Sequence, residues 1–154
     1  MAFVVEDGTG LPDANSYASV AEADAYHTDR GNAAWTGSNS VKQAALVRAT
    51  DYVEQAYAGR WKGCALTEEQ ALSFPRDEAV VPAKLKQAVI QLALEAIATD
   101  LNPTQDRAVK REKVDVIEVE YMDNARNGKT RPAIDGLLSG LLSGSIYNRP
   151  LVRT

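Results

Sequence analysis

Residues 83–101 form a stretch of helical length that has almost no polar face. Pro82 stands directly before it, where a helix tolerates proline because no amide partner is lost in the first turn. Asn102-Pro103 ends the stretch. A helix that is apolar around its whole circumference is buried on all sides. We therefore predict that this helix is the centre of the domain, or that it contacts both its own core and another subunit.

Three further segments have helical patterns. Ser19 and Glu22 form a capping box, which predicts a helix over residues 19–30. Apolar residues at helical spacing predict a second helix over residues 40–58, capped by its first serine, and a short fourth helix over residues 134–142. The sequence thus predicts a mostly α fold, a small bundle of three main helices with a short C-terminal helix.

A late segment, residues 113–121, is rich in β-branched residues and predicts a β-strand or hairpin. An isolated strand is not stable, and the sequence contains no second strong strand to pair with it. We therefore expect this segment to pair with a neighbouring subunit. The candidate contact residues are Val114, Val116, Ile117, Val119 and Tyr121.

The pattern divides the chain into an N-terminal arm (residues 1–18), a helical domain (19–144) and a C-terminal docking tail (145–154). Within the domain, the connection over residues 60–81 is long enough to indicate a function or an interface. Its expected anchors are Trp61, Phe74, Pro75 and Arg76.

Reactive residue types are scarce in this chain. Cys64 is the only cysteine and His27 the only histidine. An internal disulfide is therefore excluded, and a structural zinc site lacks its donors. The order of residues shows no activated nucleophile and no phosphate-binding glycine motif. We expect no enzymatic activity, no cofactor and no metal.

The charge is unevenly distributed along the chain. Residues 1–100 hold 8 Lys/Arg against 14 Asp/Glu, and residues 101–154 hold 9 against 7. An acidic body opposes phosphate binding, and a site for single-stranded DNA needs a basic groove with aromatic platforms. The candidates for such a site are Trp35, Tyr57, Trp61 and Tyr121, with Arg60, Lys62 and Arg76. The alternative is that these aromatic residues anchor a long loop to the core.

Targeting signals are missing from the sequence as it stands. No run of 18 apolar residues occurs, so we expect no membrane span. The first residues lack the basic and apolar regions of a signal peptide, so we expect synthesis in the cytoplasm.

Several segments together resemble a known family. They are the arm "GTGLPDANSY", the helix "SVAEADAYHTDRG", the loop "QALSFPR", the proline-led helix "VPAKLKQAVIQLALEAI" and the late strand "KREKVDVIEVEY". This series resembles the neck adaptor (head–tail connector) proteins of long-tailed bacteriophages. Part of that group is labelled DnaT-like, as single-stranded DNA-binding proteins. The resemblance covers roughly residues 8–121.

The resemblance implies a structural virion protein assembled in the bacterial host cytoplasm. Its partners would be further copies of itself in a ring of twelve, a portal protein, and a stopper or tail-completion protein. DNA would pass through the ring without specific binding. The tail residues expected to dock on the portal are Ile146, Tyr147, Arg149, Pro150 and Leu151. The alternative function is a DnaT-like accessory protein that binds single-stranded nucleic acid.

Overall fold

The computed structural model describes residues 2–103, 111–114, 117–120 and 131–143. The helices are α1 (Val20–Asp29), α2 (Asn39–Ala56), α3 (Ala83–Ala98) and α4 (Pro132–Leu138), and a 3-10 turn over Ser139–Leu141 follows α4. The strands are β1 (Arg111–Val114) and β2 (Ile117–Glu120). The prediction of a mostly helical fold is confirmed.

The chain divides into two compact units. The helical unit comprises Met1–Leu101 and Pro132–Thr154, and the second unit comprises Asn102–Arg131. The second unit contains β1 and β2, so the helices and the strands belong to different units.

Helix α3 lies at the centre of the helical unit and packs against α2 and α4. Its buried residues are Leu85, Ala88, Val89, Ile90, Leu92, Ala93 and Ala96. Leu94 and Ile97 are half-buried and also pack against the core. The apolar circumference of α3 is thus largely covered within one chain, as expected for a central helix.

Side-chain caps fix where the first two helices begin. The Ser19 hydroxyl accepts a hydrogen bond from the Glu22 amide at 3.2 Å, and the Glu22 carboxylate accepts one from the Ser19 amide at 2.8 Å. For α2 the predicted cap at Ser40 is wrong, because Ser38 accepts the bond from the Val41 amide. The Ser40 hydroxyl instead pairs with the Ser38 hydroxyl at 2.8 Å.

The N-terminal arm folds back on itself before α1 begins. The Glu6 amide donates to the Ser16 carbonyl at 2.8 Å, and the Ser16 amide donates to the Val4 carbonyl at 3.2 Å. The Glu6 carboxylate is fully buried and accepts hydrogen bonds from the amides of Gly8, Gly10 and Leu11, each at 2.9 Å. These bonds satisfy the buried charge and fix the glycine-containing turn.

The two strands form an antiparallel hairpin in which Val114 is opposite Ile117 and Arg111 is opposite Glu120. The hairpin, one of the two forms predicted for this segment, is therefore confirmed, whereas the expectation that its strand lacks a partner in its own chain is wrong. The partner strand is β1, which lies in the same chain and pairs antiparallel with β2. Val116 and Tyr121 lie outside the described residues.

Candidate functional site

The predicted anchors of the 60–81 loop lie against the core of the helical unit. Trp61 is 6% exposed and Phe74 is 5% exposed, and their rings meet edge to face with centroids 5.1 Å apart. Pro75 is fully buried. The Arg76 guanidinium donates to the Lys62 carbonyl at 2.7 Å and to the Ser73 carbonyl at 3.2 Å, so its donors are used within the loop.

The aromatic residues that the sequence offered for stacking on DNA are mostly buried. Trp35 is 8% exposed, Tyr57 is 4% exposed and Trp61 is 6% exposed, so their faces are covered by the protein. Tyr121 lies outside the described residues. The basic residues near Trp61 therefore have no exposed aromatic partner among these candidates, and this part of the chain is not a stacking site.

His27 is a structural residue of the core. Its Nε2 lies 3.2 Å from the Ile90 carbonyl oxygen and its Nδ1 lies 3.0 Å from the Asn32 amide nitrogen. Burial lowers the pKa of His27 below its ordinary value, which favours the neutral imidazole. Cys64 is exposed, and no group of three or more metal-ligating side chains occurs among the described residues.

Two further sets of predicted contact residues differ in how far the structure describes them. The five tail residues between Ile146 and Leu151 lie outside the described residues. The strand residues Val114, Ile117 and Val119 lie in the hairpin, where Val119 is opposite Glu112.

Within the described part of the chain, no helix is long and apolar enough to span a membrane.

A groove of about 440 Å³ lies between the N-terminal arm and the outer face of α2. We call it the arm–helix groove. Its walls include Phe3, Asn15, Gln43, Ala44, Val47 and Arg48. The sequence does not reveal this groove, because its two walls come from separate segments, residues 2–15 and residues 40–48. One signal was available, since Ala44 and Val47 lie outside the apolar face of α2 that packs on the core.

Asn15 holds the arm wall of the groove in place. Its side-chain oxygen accepts a hydrogen bond from the Val4 amide at 3.0 Å, and its side-chain nitrogen donates to the Ala2 carbonyl at 2.6 Å. These two bonds fix the backbone on both sides of Phe3. The Phe3 ring is half-buried and packs against the core, so the groove has an aromatic wall that is held in position.

Arg48 is the one charged residue among the described residues that line the arm–helix groove. It is exposed, and its Nε donates to the Ala44 carbonyl at 3.4 Å within the same helix. Gln43 is half-buried in the same wall. The groove thus combines an aromatic ring, an apolar floor, an amide and a cation, which are the components of a site for an unstacked base.

A second groove, of about 370 Å³, lies between the 60–81 loop and the 3-10 turn after α4. Lys62 and Arg76 line it together with Asp77 and Glu78, so its charges are mixed. The Lys62 ammonium donates to the Gly140 carbonyl at 2.9 Å. Two carboxylates and two engaged cations make this groove a poorer site for a phosphate chain than the arm–helix groove.

The comparison with models of protein families gave a match. A family model described as "Putative DnaT-like ssDNA binding protein" matches residues 1–154, which is the whole chain. The chain belongs to this DnaT-like family. The searches of curated proteins and of solved structures gave no match.

This match corrects the function expected from the sequence. The identification as a phage neck adaptor and the role of a portal-binding head–tail connector are wrong, because the family that matches is the DnaT-like one. Three features had favoured an assembly subunit, namely the apolar helix, the unpaired strand and the C-terminal tail. The chain itself explains the first two, and the tail lies outside the described residues. Helix α3 is covered by its own unit, and β1 pairs with β2.

Proposed function

We propose that this DnaT-like protein binds single-stranded DNA, as a binding protein rather than an enzyme, and that the arm–helix groove holds one unstacked base. The observation that carries the proposal is the placement of the half-buried Phe3 ring and the exposed Arg48 guanidinium on the walls of one groove. A base would stack on the ring, and the guanidinium would contact an adjacent phosphate. Stacking of this kind tolerates any sequence because every base has a flat π-face.

The charge of the helical unit limits how strong this binding is. The groove contributes one cation among its described residues, and residues 1–100 carry an excess of carboxylates. We therefore expect only about one to three phosphate contacts. For single strands the slope of log affinity against log salt is about −0.7 per phosphate contact, so the salt dependence is shallow.

Fluorescence anisotropy of a labelled oligothymidine, titrated with the full chain at about 50 mM and about 200 mM salt, tests the proposal. Phe3→Leu keeps an apolar side chain against the core but removes the aromatic face. We expect it to weaken binding about 5- to 100-fold, the range for loss of one stacked base. Arg48→Ala should weaken binding and make its salt dependence shallower.

Lys84→Ala is the matched control. Lys84 is an exposed cation in the first turn of α3 and does not line the arm–helix groove. Its removal should leave the affinity within about twofold of the wild type, because salt screens an exposed charge that lies outside the site. If the wild type does not bind at low salt, the proposed function is wrong. If Lys84→Ala weakens binding as much as Arg48→Ala, the groove is the wrong site.

A further inference from the structure

Gln43 differs from the other polar residues of the arm–helix groove in its hydrogen bonding. Asn15 uses its side-chain oxygen and its side-chain nitrogen within the arm, and the Ser40 hydroxyl pairs with Ser38. The side-chain amide of Gln43 is half-buried and makes no hydrogen bond within the part of the chain that the structure describes. It offers donors and an acceptor next to each other on the wall of the groove.

Each of the four bases presents a donor beside an acceptor on its Watson–Crick edge. Thymine and guanine present a ring N–H beside a carbonyl, while cytosine and adenine present an amino group beside a ring nitrogen. A primary amide can pair with either arrangement by rotating about its last torsion, which is broad. An amide on a flexible side chain therefore satisfies any base edge, whereas a fixed one would select among the bases.

We propose that Gln43 pairs with the edge of the base in the arm–helix groove and accepts all four bases. This inference rests on the proposed function, because it needs a base stacked on Phe3. Gln43 and Arg48 are on adjacent turns of α2, so the edge and a neighbouring phosphate would be held by one helix. Sequence-tolerant binding would then come from a rotating amide as well as from stacking.

The test compares two oligonucleotides with the full-length wild type and with Gln43→Leu. One is an ordinary oligothymidine, and the other carries N3-methylthymidine, whose methyl group removes the ring N–H and blocks the edge. The wild type should bind the ordinary strand about 5-fold more tightly than the methylated strand, as for one neutral hydrogen bond. Gln43→Leu should bind both strands equally, at about the affinity of the wild type for the methylated one.

A second comparison tests whether the groove binds different bases with similar affinity. Strands of adenine, cytosine and thymine should bind the wild type within about threefold of one another, less than the 5-fold effect of a lost hydrogen bond. If Gln43→Leu retains the wild-type ratio between the ordinary and methylated strands while Phe3→Leu still weakens binding, the role of Gln43 is wrong and the proposed function stands. If the wild type binds none of these strands, both are wrong. A preference above tenfold for one base would contradict the proposal that the Gln43 amide rotates to pair with every base.

Discussion

Tyr17 and Phe74 contact each other in two ways. The Phe74 amide donates a hydrogen bond to the Tyr17 hydroxyl at 3.0 Å, and the two rings meet edge to face with centroids 6.3 Å apart. The same hydroxyl donates to the Glu54 carboxylate, which also accepts the Ser73 amide at 3.1 Å. One tyrosine therefore joins the end of the N-terminal arm, helix α2 and the 60–81 loop.

Tyr17→Phe should destabilise the protein by about 2 kcal/mol, because it leaves the buried Phe74 amide and one Glu54 oxygen without a partner. Burial raises the pKa of Tyr17 above its ordinary value of 10.0, so the hydroxyl remains a donor at neutral pH. Chemical denaturation measures the loss. Tyr26→Phe is the control, since the Tyr26 hydroxyl is only half-buried and accepts one bond, from Gln91. Equal losses in the two variants would contradict the joining role of Tyr17.

His27 should make stability fall as the pH decreases below about 6.5, its ordinary pKa. Its folded-state pKa is lowered mainly by burial, so in this window the unfolded chain binds a proton that the folded chain excludes. The stabilisation is complete above the unfolded pKa and is lost as the pH falls towards the folded pKa. The melting temperature should therefore be lower at about pH 5.5 than at about pH 7.5.

His27→Gln removes this titration and retains a side chain that can bond to the Ile90 carbonyl. The difference in melting temperature between the two pH values should shrink in the variant. The carboxylates with lowered pKa values are Asp7, Glu22 and Asp24. They titrate below their ordinary values of 3.8, 4.5 and 3.8, and so outside this window. A pH dependence that is the same in both proteins would rule out His27 as its source.

Gly63→Ala should destabilise the 60–81 loop more than Gly31→Ala destabilises the end of α1. Both glycines have a positive φ, +74° and +64°, which costs an alanine about 1 kcal/mol. A Cβ at Gly63 would also collide with the Asp77 carboxylate, whereas a Cβ at Gly31 meets no atom within 4 Å. The difference between the melting temperatures of the two variants separates the cost of the collision from the cost of the positive φ, which both variants share. Equal shifts would mean that the Asp77 side chain moves aside at no cost.

The helices could be predicted because their signals are local. The capping box at Ser19 and Glu22 and the apolar stretch after Pro82 each depend on neighbours within one or two turns. The correct cap of α2 could not be predicted, since Ser38 and Ser40 both precede the helical pattern. The backbone geometry decides which of the two serines caps the helix, and the local sequence does not determine that geometry.

The groove could not be predicted because it depends on contacts between distant segments. Phe3 and Arg48 lie in different segments, and only the fold-back of the arm brings them to one groove. The late strand could not be assigned a partner for a different reason, since its partner lies next to it in the sequence. Residues 111–113 are all charged and show no strand pattern of their own, yet they belong to β1, which pairs with β2. The resemblance then explained the apolar helix and the unpaired strand by membership of the wrong family.

The buried Glu6 gives the N-terminal arm a further property. Amides that converge on one point, as those of Gly8, Gly10 and Leu11 do, form a receptor for anions. In this chain the receptor carries its own ligand, covalently tethered and so present at high effective concentration. A phosphate from a passing nucleic acid would have to displace that carboxylate to enter. The turn is therefore self-inhibited as an anion site.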